Sequence, residues 1–346
     1  MGLHAAQLMS DPTYLDQRLG HYHLIRSLGQ SNFSEVYLGE HRHLHTPVAI
    51  KRLHARLIGE EAEDFLTRAS ELSRLRHPHI VPILDFGLED GIAFLVMDYV
   101  PHGTLRQRYP RGTQVPFELI PDYLTQITAG LHYFHEQGLV HRDIKPHNIM
   151  LGTNGEILLS DFGTAIGSYS LSPGQIRLQD FEGTVLYAAP EQLQGMPRRS
   201  SDQYALGVMI YEWICGDWPF KGTFHEVVHQ HLFVEPPPLQ EKCAACPPNI
   251  AQVVMRALEK DPMKRFPSVK QFADDFAWAY KVAQAKKELP YPTTSPLKQV
   301  TQVHEMQPSL IVPVTPPLVP AQPVQAPQPS KRQFLSPLPR TQLKGS

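Results

Sequence analysis

The stretch His141-Arg142-Asp143-Ile144-Lys145-Pro146-His147-Asn148, followed further along by Asp161-Phe162-Gly163, decides how this chain reads. It offers a carboxylate able to orient a hydroxyl (Asp143), a lysine for a phosphate oxygen (Lys145), and two oxygen ligands for a divalent ion (Asn148 and Asp161). Few unrelated sequences reproduce those residue types at that spacing, and together they point to movement of a phosphoryl group. Such a transfer asks for in-line placement of the acceptor and neutralised charge on the transferring oxygens, more than for covalent chemistry.

Upstream of this stretch, short alternating apolar segments at Tyr22–Ile25, Val36–Gly39 and Val48–Lys51 read as strands, with Gly29 in the first turn between them. From Glu60 to Arg76 the period changes: Phe65, Leu66, Ala69, Leu72 and Leu75 recur at three and four, as in a helix with one buried stripe. His77-Pro78 is expected to end it, because the residue before proline avoids helical angles. Ile80–Leu84 and Ala93–Met97 complete a five-stranded sheet with one helix. Past Gly103 the pattern is helical, clearest at Ile120–His135, Asp202–Cys215 and Ala251–Glu259. Strand-rich sequence followed by helix-rich sequence, with the chemistry at the junction, predicts an α+β protein of two lobes around a cleft.

These motifs resemble those of the eukaryotic-type serine/threonine protein kinases in their bacterial form, over about Tyr22 to Tyr280. The resemblance implies a bilobal kinase domain over residues 21–280. Its N-lobe (about 21–97) would be a five-stranded antiparallel sheet plus one helix, and its C-lobe (about 101–280) mainly helical. Residues 1–20 would be an extension and 289–346 a proline-rich tail. The implied activity is transfer of the γ-phosphoryl of ATP, with Mg2+ or Mn2+, to Ser or Thr hydroxyls of protein substrates, the chain itself included.

The implied roles follow position by position. Gly29 to Val36 is similar to the glycine-rich loop, with Ser31 and Ser34 in place of two glycines. Val36 and Ala49 would cover the adenine, Met150 would lie beneath it, Met97 would guard the pocket, and backbone at Asp98 and Val100 would bond the base. Lys51 would meet the α- and β-phosphates, Lys145 the γ-phosphate, Asp143 the acceptor hydroxyl, and Asn148 and Asp161 the metal. Asp202 would brace the catalytic loop, Glu191 and Arg265 would form a buried ion pair, and His141 and Phe162 would stack with Leu72 as a column linking the lobes. Gly163 opens the segment that resembles an activation loop. There Thr184 would pack against Asp143 and Lys145, and Arg142 would await a phosphate on Ser168, Ser170 or Ser172. Asp180 and Glu182 near Thr184 are expected to mimic that phosphate in part.

One position departs from the pattern. Counting back from His77, the family's helix glutamate, which holds the lysine, falls on Arg68. A second cation beside Lys51 in a desolvated cleft would repel it. Glu71 and Asp64, one turn to either side, or Asp161, are the substitutes within reach, and the expectation is that a neighbouring acid takes over. The rival reading is a pseudokinase, a nucleotide-binding signalling scaffold with little or no phosphotransfer.

Composition narrows the remaining classes. A formal net charge of -2 over 346 residues gives no basic field for nucleic acid, and 42% hydrophobic content suffices for a core. The first residues lack a basic-then-apolar order, and no run reaches the ~18 apolar residues of a membrane helix, so a cytoplasmic protein without membrane insertion is expected. Three cysteines make no disulfide framework. Cys243 and Cys246 have zinc-ligand spacing behind His225, His229 and His231, but no second pair follows at finger distance, and an ordinary loop is the reading. After Leu289 prolines recur without an apolar period, so burial cannot offset ordering entropy and disorder is expected. Pro313-Val314-Thr315-Pro316 and Ser336-Pro337-Leu338-Pro339 are proline motifs suited to a partner's aromatic groove.

Overall fold

The computed structural model describes residues 17–31, 34–162 and 185–288. The chain divides into two units, residues 1–291 and 292–346, and all described residues belong to the first. Six antiparallel strands, β1 (Gln17–Leu19), β2 (Tyr22–Gln30), β3 (Ser34–His41), β4 (Pro47–Arg56), β5 (Ile83–Glu89) and β6 (Ile92–Asp98), lie in the order β1-β2-β3-β4-β6-β5. The five expected strands are therefore joined by a sixth from the stretch read as an extension. β1 is three residues long and only Leu19 in it is buried, too little for an alternation to show. Gly20, at φ 53, supplies the left-handed turn that pairs β1 back onto β2. β5 starts at Ile83 rather than Ile80 because Pro82 has no amide to give a ladder. Ile80 instead bridges Leu159 in the other lobe.

The two faces of the sheet are both covered. Tyr22, Leu24, Tyr37, Val48, Ile50, Phe94 and Val96 form one cluster. The alternate residues Ala93, Leu95 and Met97 belong to the main core with Phe65, Ala69 and Leu72 of helix α1 (Glu60–Leu72). That helix stops at Leu72, four residues short of Arg76. The Ser73 hydroxyl donates to the Ser70 carbonyl, Arg74 and Leu75 make tighter i→i−3 bonds, and the Arg76 guanidinium takes up the carbonyls of Ser73 and Leu75. Local capping, not Pro78, ends the helix.

The second lobe holds α2 (Leu105–Arg108), α3 (Ile120–Glu136), the hairpin β7 (Ile149–Leu151) and β8 (Ile157–Leu159), then α4 (Pro190–Leu193), α5 (Arg199–Cys215), α6 (Phe224–Phe233), α7 (Leu239–Lys242), α8 (Pro248–Ala257) and α9 (Val269–Glu288). Every residue of α5 from Ser201 to Ile214 is buried, so this helix is the axis on which the lobe is packed. It ends at Gly216, whose φ of 77 lets its amide reach back to the Glu212 carbonyl.

The lobes meet along a short backbone seam. Leu159 donates to the His79 carbonyl at 2.9 Å and accepts from Val81 at 2.8 Å. Helix α3 comes so close that a Cβ on Gly130 would stand 2.7 Å from the His79 carbonyl oxygen. Gly130→Ala is therefore expected to push helix and seam apart, lowering stability by about 1–3 kcal/mol in thermal or urea unfolding. An unchanged melting temperature would contradict this packing.

Candidate active site

The loop after α3 is held from below by one carboxylate. Asp202, in the first turn of α5, accepts from the His141 amide at 2.9 Å, the Arg142 amide at 2.8 Å and His135 Nε2 at 2.8 Å. Arg142 has φ 68, a left-handed conformation that side-chain-bearing residues rarely adopt. The bond from its amide to Asp202 and the bond from Gln192 Nε2 to its carbonyl, 2.7 Å, hold it there. The turn so made presents Asp143, which is 7% exposed. Asn148 Nδ2 donates at 2.8 Å to both the backbone carbonyl and Oδ2 of Asp143, and Lys145 Nζ lies 2.8 Å from the same Oδ2. His141 is fully buried, its Nε2 3.1 Å from the Ser160 carbonyl and its Nδ1 accepting from the Asp143 amide, a pairing that requires the proton on Nε2. Phe162 packs 5.3 Å from the rings of His141 and Phe134, and Leu72 lies in the same core.

The hairpin brings the second carboxylate to this loop. Ser160 donates its amide to the Asn148 carbonyl at 2.9 Å, which sets Asp161 beside Asn148. Asp161 also has a positive φ, 64, and its Oδ1 pairs with Lys51 of β4 across the two lobes. Desolvation works against the Asp161 carboxylate, but the Lys51 charge and hydrogen bond, with Lys145 and His141 behind them, outweigh it and pull its pKa to about 2.

Above the pair, strand register gathers the expected nucleotide residues. Val36 faces Lys51, and Ala49 faces Met97, so Val36, Ala49, Lys51 and Met97 share one face of the sheet. Gly29 pairs with Val36, and a Cβ on Gly29 would meet no described atom within 4 Å, so packing does not require the glycine. Ser31 and Ser34 are bonded to each other: the Ser31 amide to the Ser34 carbonyl at 2.8 Å, and the Ser34 amide to the Ser31 hydroxyl at 3.1 Å. On the other side, Met150 bridges Thr104, Val100 is buried, and the Asp98 amide is committed to the Pro82 carbonyl at 3.2 Å.

Residues 22–276 match the protein kinase domain family. The chain belongs to that family. It is 34% identical over 270 residues to the serine/threonine-protein kinase PrkC of Bacillus subtilis, covering 75% of this chain and 41% of that protein. It is 36% identical over 263 residues to PknF of Mycobacterium tuberculosis, covering 72% and 54%. With PknL of Mycobacterium bovis the identity is 32% over 290 residues, covering 81% and 70%. The chain spans about half the length of the first two relatives. Among the described residues no helix is long and apolar enough to cross a membrane.

Within this kinase domain, of the three acids expected within reach of Lys51, its ion pair is with Asp161, and among the described residues none runs to Asp64 or Glu71. At about 100° per residue, Phe65, Ala69 and Leu72 lie on one side of Arg68, and Asp64 and Glu71 on the other. The two acids are exposed, while Arg68 is half-buried next to the packed stripe. Gly163, Ser168, Ser170, Ser172, Asp180, Glu182 and Thr184 lie outside the described residues.

Two buried charge networks support the loop from the far side. Arg265 binds Glu191 through both nitrogens, at 2.8 and 2.9 Å, and fills its remaining valences on the carbonyls of Glu259, Ser200 and Lys260, while Ser201 donates to Glu191 at 2.7 Å. Burial alone would raise the Glu191 carboxyl; the Arg265 hydrogen bonds and charge outweigh it and hold it below the usual range. The second network escaped the sequence: Arg106 donates to Glu212 at 2.7 and 2.9 Å and to the Tyr187 hydroxyl at 2.7 Å, Tyr187 donates to Glu212 at 2.6 Å, and Trp218 Nε1 donates to Tyr187 at 3.0 Å. No local pattern joins residues so far apart along the chain. Among the described residues, no group of three or more His, Cys, Asp or Glu is placed to hold a metal ion. Of the residues near the Cys243-x-x-Cys246 spacing, His231 is buried against Tyr204 and Phe220, and burial pushes the thiols of Cys215 and Cys246 up to about 12.

Arg265→Ala strands a buried carboxylate and is expected to cost about 3–5 kcal/mol near neutral pH. Because the Glu191 pKa is depressed in the fold, its contribution is present above the ordinary carboxylate range and is lost as pH falls through the folded value. The difference in melting temperature between wild type and variant should accordingly shrink as pH falls through that folded value. Arg68→Glu offers Lys51 a second carboxylate and should release Asp161, tightening Mg-ATP binding severalfold in calorimetry; an unaltered affinity would contradict the Lys51–Asp161 account.

Proposed function

We propose that the chain is a serine/threonine protein kinase that transfers the γ-phosphoryl of Mg-ATP to Ser or Thr hydroxyls of proteins, its own included. The observation that carries this reading is the clamped Asp143, fixed by Asn148 and Lys145 at 2.8 Å and set in one site with Asp161 and Lys51. Asp143 accepts the proton of the attacking hydroxyl as its oxygen bonds to the γ-phosphorus and the bond to the bridging β–γ oxygen breaks, releasing ADP. Lys145, already against Asp143, offsets charge on the moving phosphoryl group, and Lys51 orients the α- and β-phosphates. Asn148 and Asp161 fit a hard divalent ion: both offer oxygen, and the Ser160–Asn148 bond keeps them adjacent. When bound, magnesium, or manganese in its stead, neutralises phosphate charge. Val36, Ala49, Met97 and Met150 enclose the base, whose polar edge meets the Asp98 carbonyl and the Val100 amide. The buried Nε of Arg142 has no partner among the described residues, which supports its role as a donor waiting for an anion on the activation segment.

A second reading, a nucleotide-binding scaffold without transfer, is favoured by one observation: with Arg68 on α1, the lysine is tied directly to the metal-binding carboxylate. Labelled ATP with a generic protein substrate separates the two. The kinase reading expects incorporation by wild type and a loss of at least about a hundredfold in Asp143→Asn. Equal signals from both would support the scaffold. Gly29→Ala should leave the melting temperature unchanged and weaken ATP binding, since only a ligand needs the space there.

A further inference from the structure

A glycine in a phosphate-binding loop leaves the backbone free to fold onto its ligand, and that freedom is given up on binding. Two such positions here carry Ser31 and Ser34, at the end of the β2–β3 hairpin whose last paired residues are Gln30 and Glu35. Asn32 and Phe33, between them, lie outside the described residues. The two serines are joined through several atoms. The Ser31 amide donates to the Ser34 carbonyl at 2.8 Å, and the Ser31 hydroxyl donates to the same carbonyl at 3.1 Å. In return the Ser34 amide donates to the Ser31 hydroxyl at 3.1 Å, and the two hydroxyls stand 3.1 Å apart. All but the first of these contacts run through Ser31 Oγ, so only the first survives in Ser31→Gly.

Strand register places the pair at the phosphate end of the nucleotide site. Ser34 faces Leu53 across β3 and β4, two positions along from the Val36–Lys51 pair, so its side chain lies on the face of the sheet that carries Val36, Ala49, Lys51 and Met97. There Ser34 is buried. With the Ser31 hydroxyl donating to the carbonyl, the Ser34 hydroxyl keeps its own proton to give, to Ser31 Oγ or to a phosphate oxygen.

We propose that Ser31 is a nucleotide-positioning residue: acting through Ser34, it locks the loop beforehand in the form that meets the phosphates of ATP. The inference rests on the nucleotide site proposed above and assigns the side chain that holds its phosphate end in place. A turn already closed in the free protein has less freedom left to lose when the phosphates arrive. Opening the lock therefore weakens ligands that reach the loop with phosphates and spares those that stop at the base and the sugar.

Calorimetric titration of the full chain with Mg-ATP and, separately, with adenosine tests this in wild type, Ser31→Gly, Ser31→Ala and Ser31→Thr. Adenosine fills the base pocket without phosphates, so it also reports whether each variant is folded. Ser31→Gly and Ser31→Ala are expected to weaken Mg-ATP roughly three- to tenfold while adenosine stays within about twofold. Ser31→Thr keeps the hydroxyl and should hold both ligands within about twofold of wild type. In phosphotransfer assays the loss should fall on KM for ATP ahead of kcat. Equal losses for Mg-ATP and adenosine would assign Ser31 to the stability of the sheet and overturn the inference. So would a Ser31→Gly variant that binds Mg-ATP as tightly as wild type or tighter, or a Ser31→Thr variant as weak as Ser31→Ala; each of these leaves the phosphotransfer reading standing. The expected pattern of affinities in a wild type that transfers no phosphate sustains the inference and overturns the kinase reading, and a wild type that binds no Mg-ATP overturns both.

Discussion

The buried carboxylate of Asp202 is the constraint on which the active-site geometry depends. It gathers three donors, the amides of His141 and Arg142 and the ring of His135, at the start of a helix that is buried on all sides. The helix N-terminus favours a negative charge there, and each amide left unmatched in that interior would cost about 1–3 kcal/mol. Against this stands the left-handed turn at Arg142, a conformation costing on the order of 1–3 kcal/mol. The bonds to Asp202 outweigh the strain, and the strained turn is what delivers Asp143 to Asn148 and Lys145.

From that turn the site extends by charge pairing. Asp143 is matched by Lys145 within the lower lobe, and Asp161 by Lys51 from the sheet above. With a pKa of about 2, Asp161 stays ionised at any pH near neutral, so the lysine and the lobe it belongs to are held by a permanent charge. Arg68 on the sheet's helix does not supply that charge, and the cross-lobe ion pair of Lys51 runs to Asp161, the carboxylate proposed to hold the ion, instead. The fold thereby couples lobe position to the group that would bind the ion.

Local chemistry was legible in the sequence where its residues are contiguous. The spacing of His141 to Asn148 and Asp161-Phe162 points to one phosphoryl-transfer site, with the family resemblance supplying part of the expected roles, and the structure brings Asp143 together with Asn148 and Lys145, and Asp161 with Lys51. Asp202 and the Glu191–Arg265 pair needed the family resemblance, because their partners lie 61 and 74 residues away along the chain. The Arg106–Glu212–Tyr187 network, with partners 106 and 81 residues apart, left no periodic trace at all. Element limits failed where side-chain capping intervened, as at Ser73, or where a strand was too short to alternate, as at Gln17–Leu19. Which acid meets Lys51 was open in the sequence, since helical spacing places residues around α1 but not the distance from that helix to β4 or to Asp161 of the other lobe.

Steady-state kinetics and ATP binding of Asp202→Asn test the central claim most directly. The amide keeps the size of the side chain and one acceptor oxygen, but turns an NH2 group toward a backbone amide. The account predicts that kcat falls by about a hundredfold as Asp143 loses its placement, while ATP affinity stays within about twofold. A kcat equal to that of the wild type would contradict it.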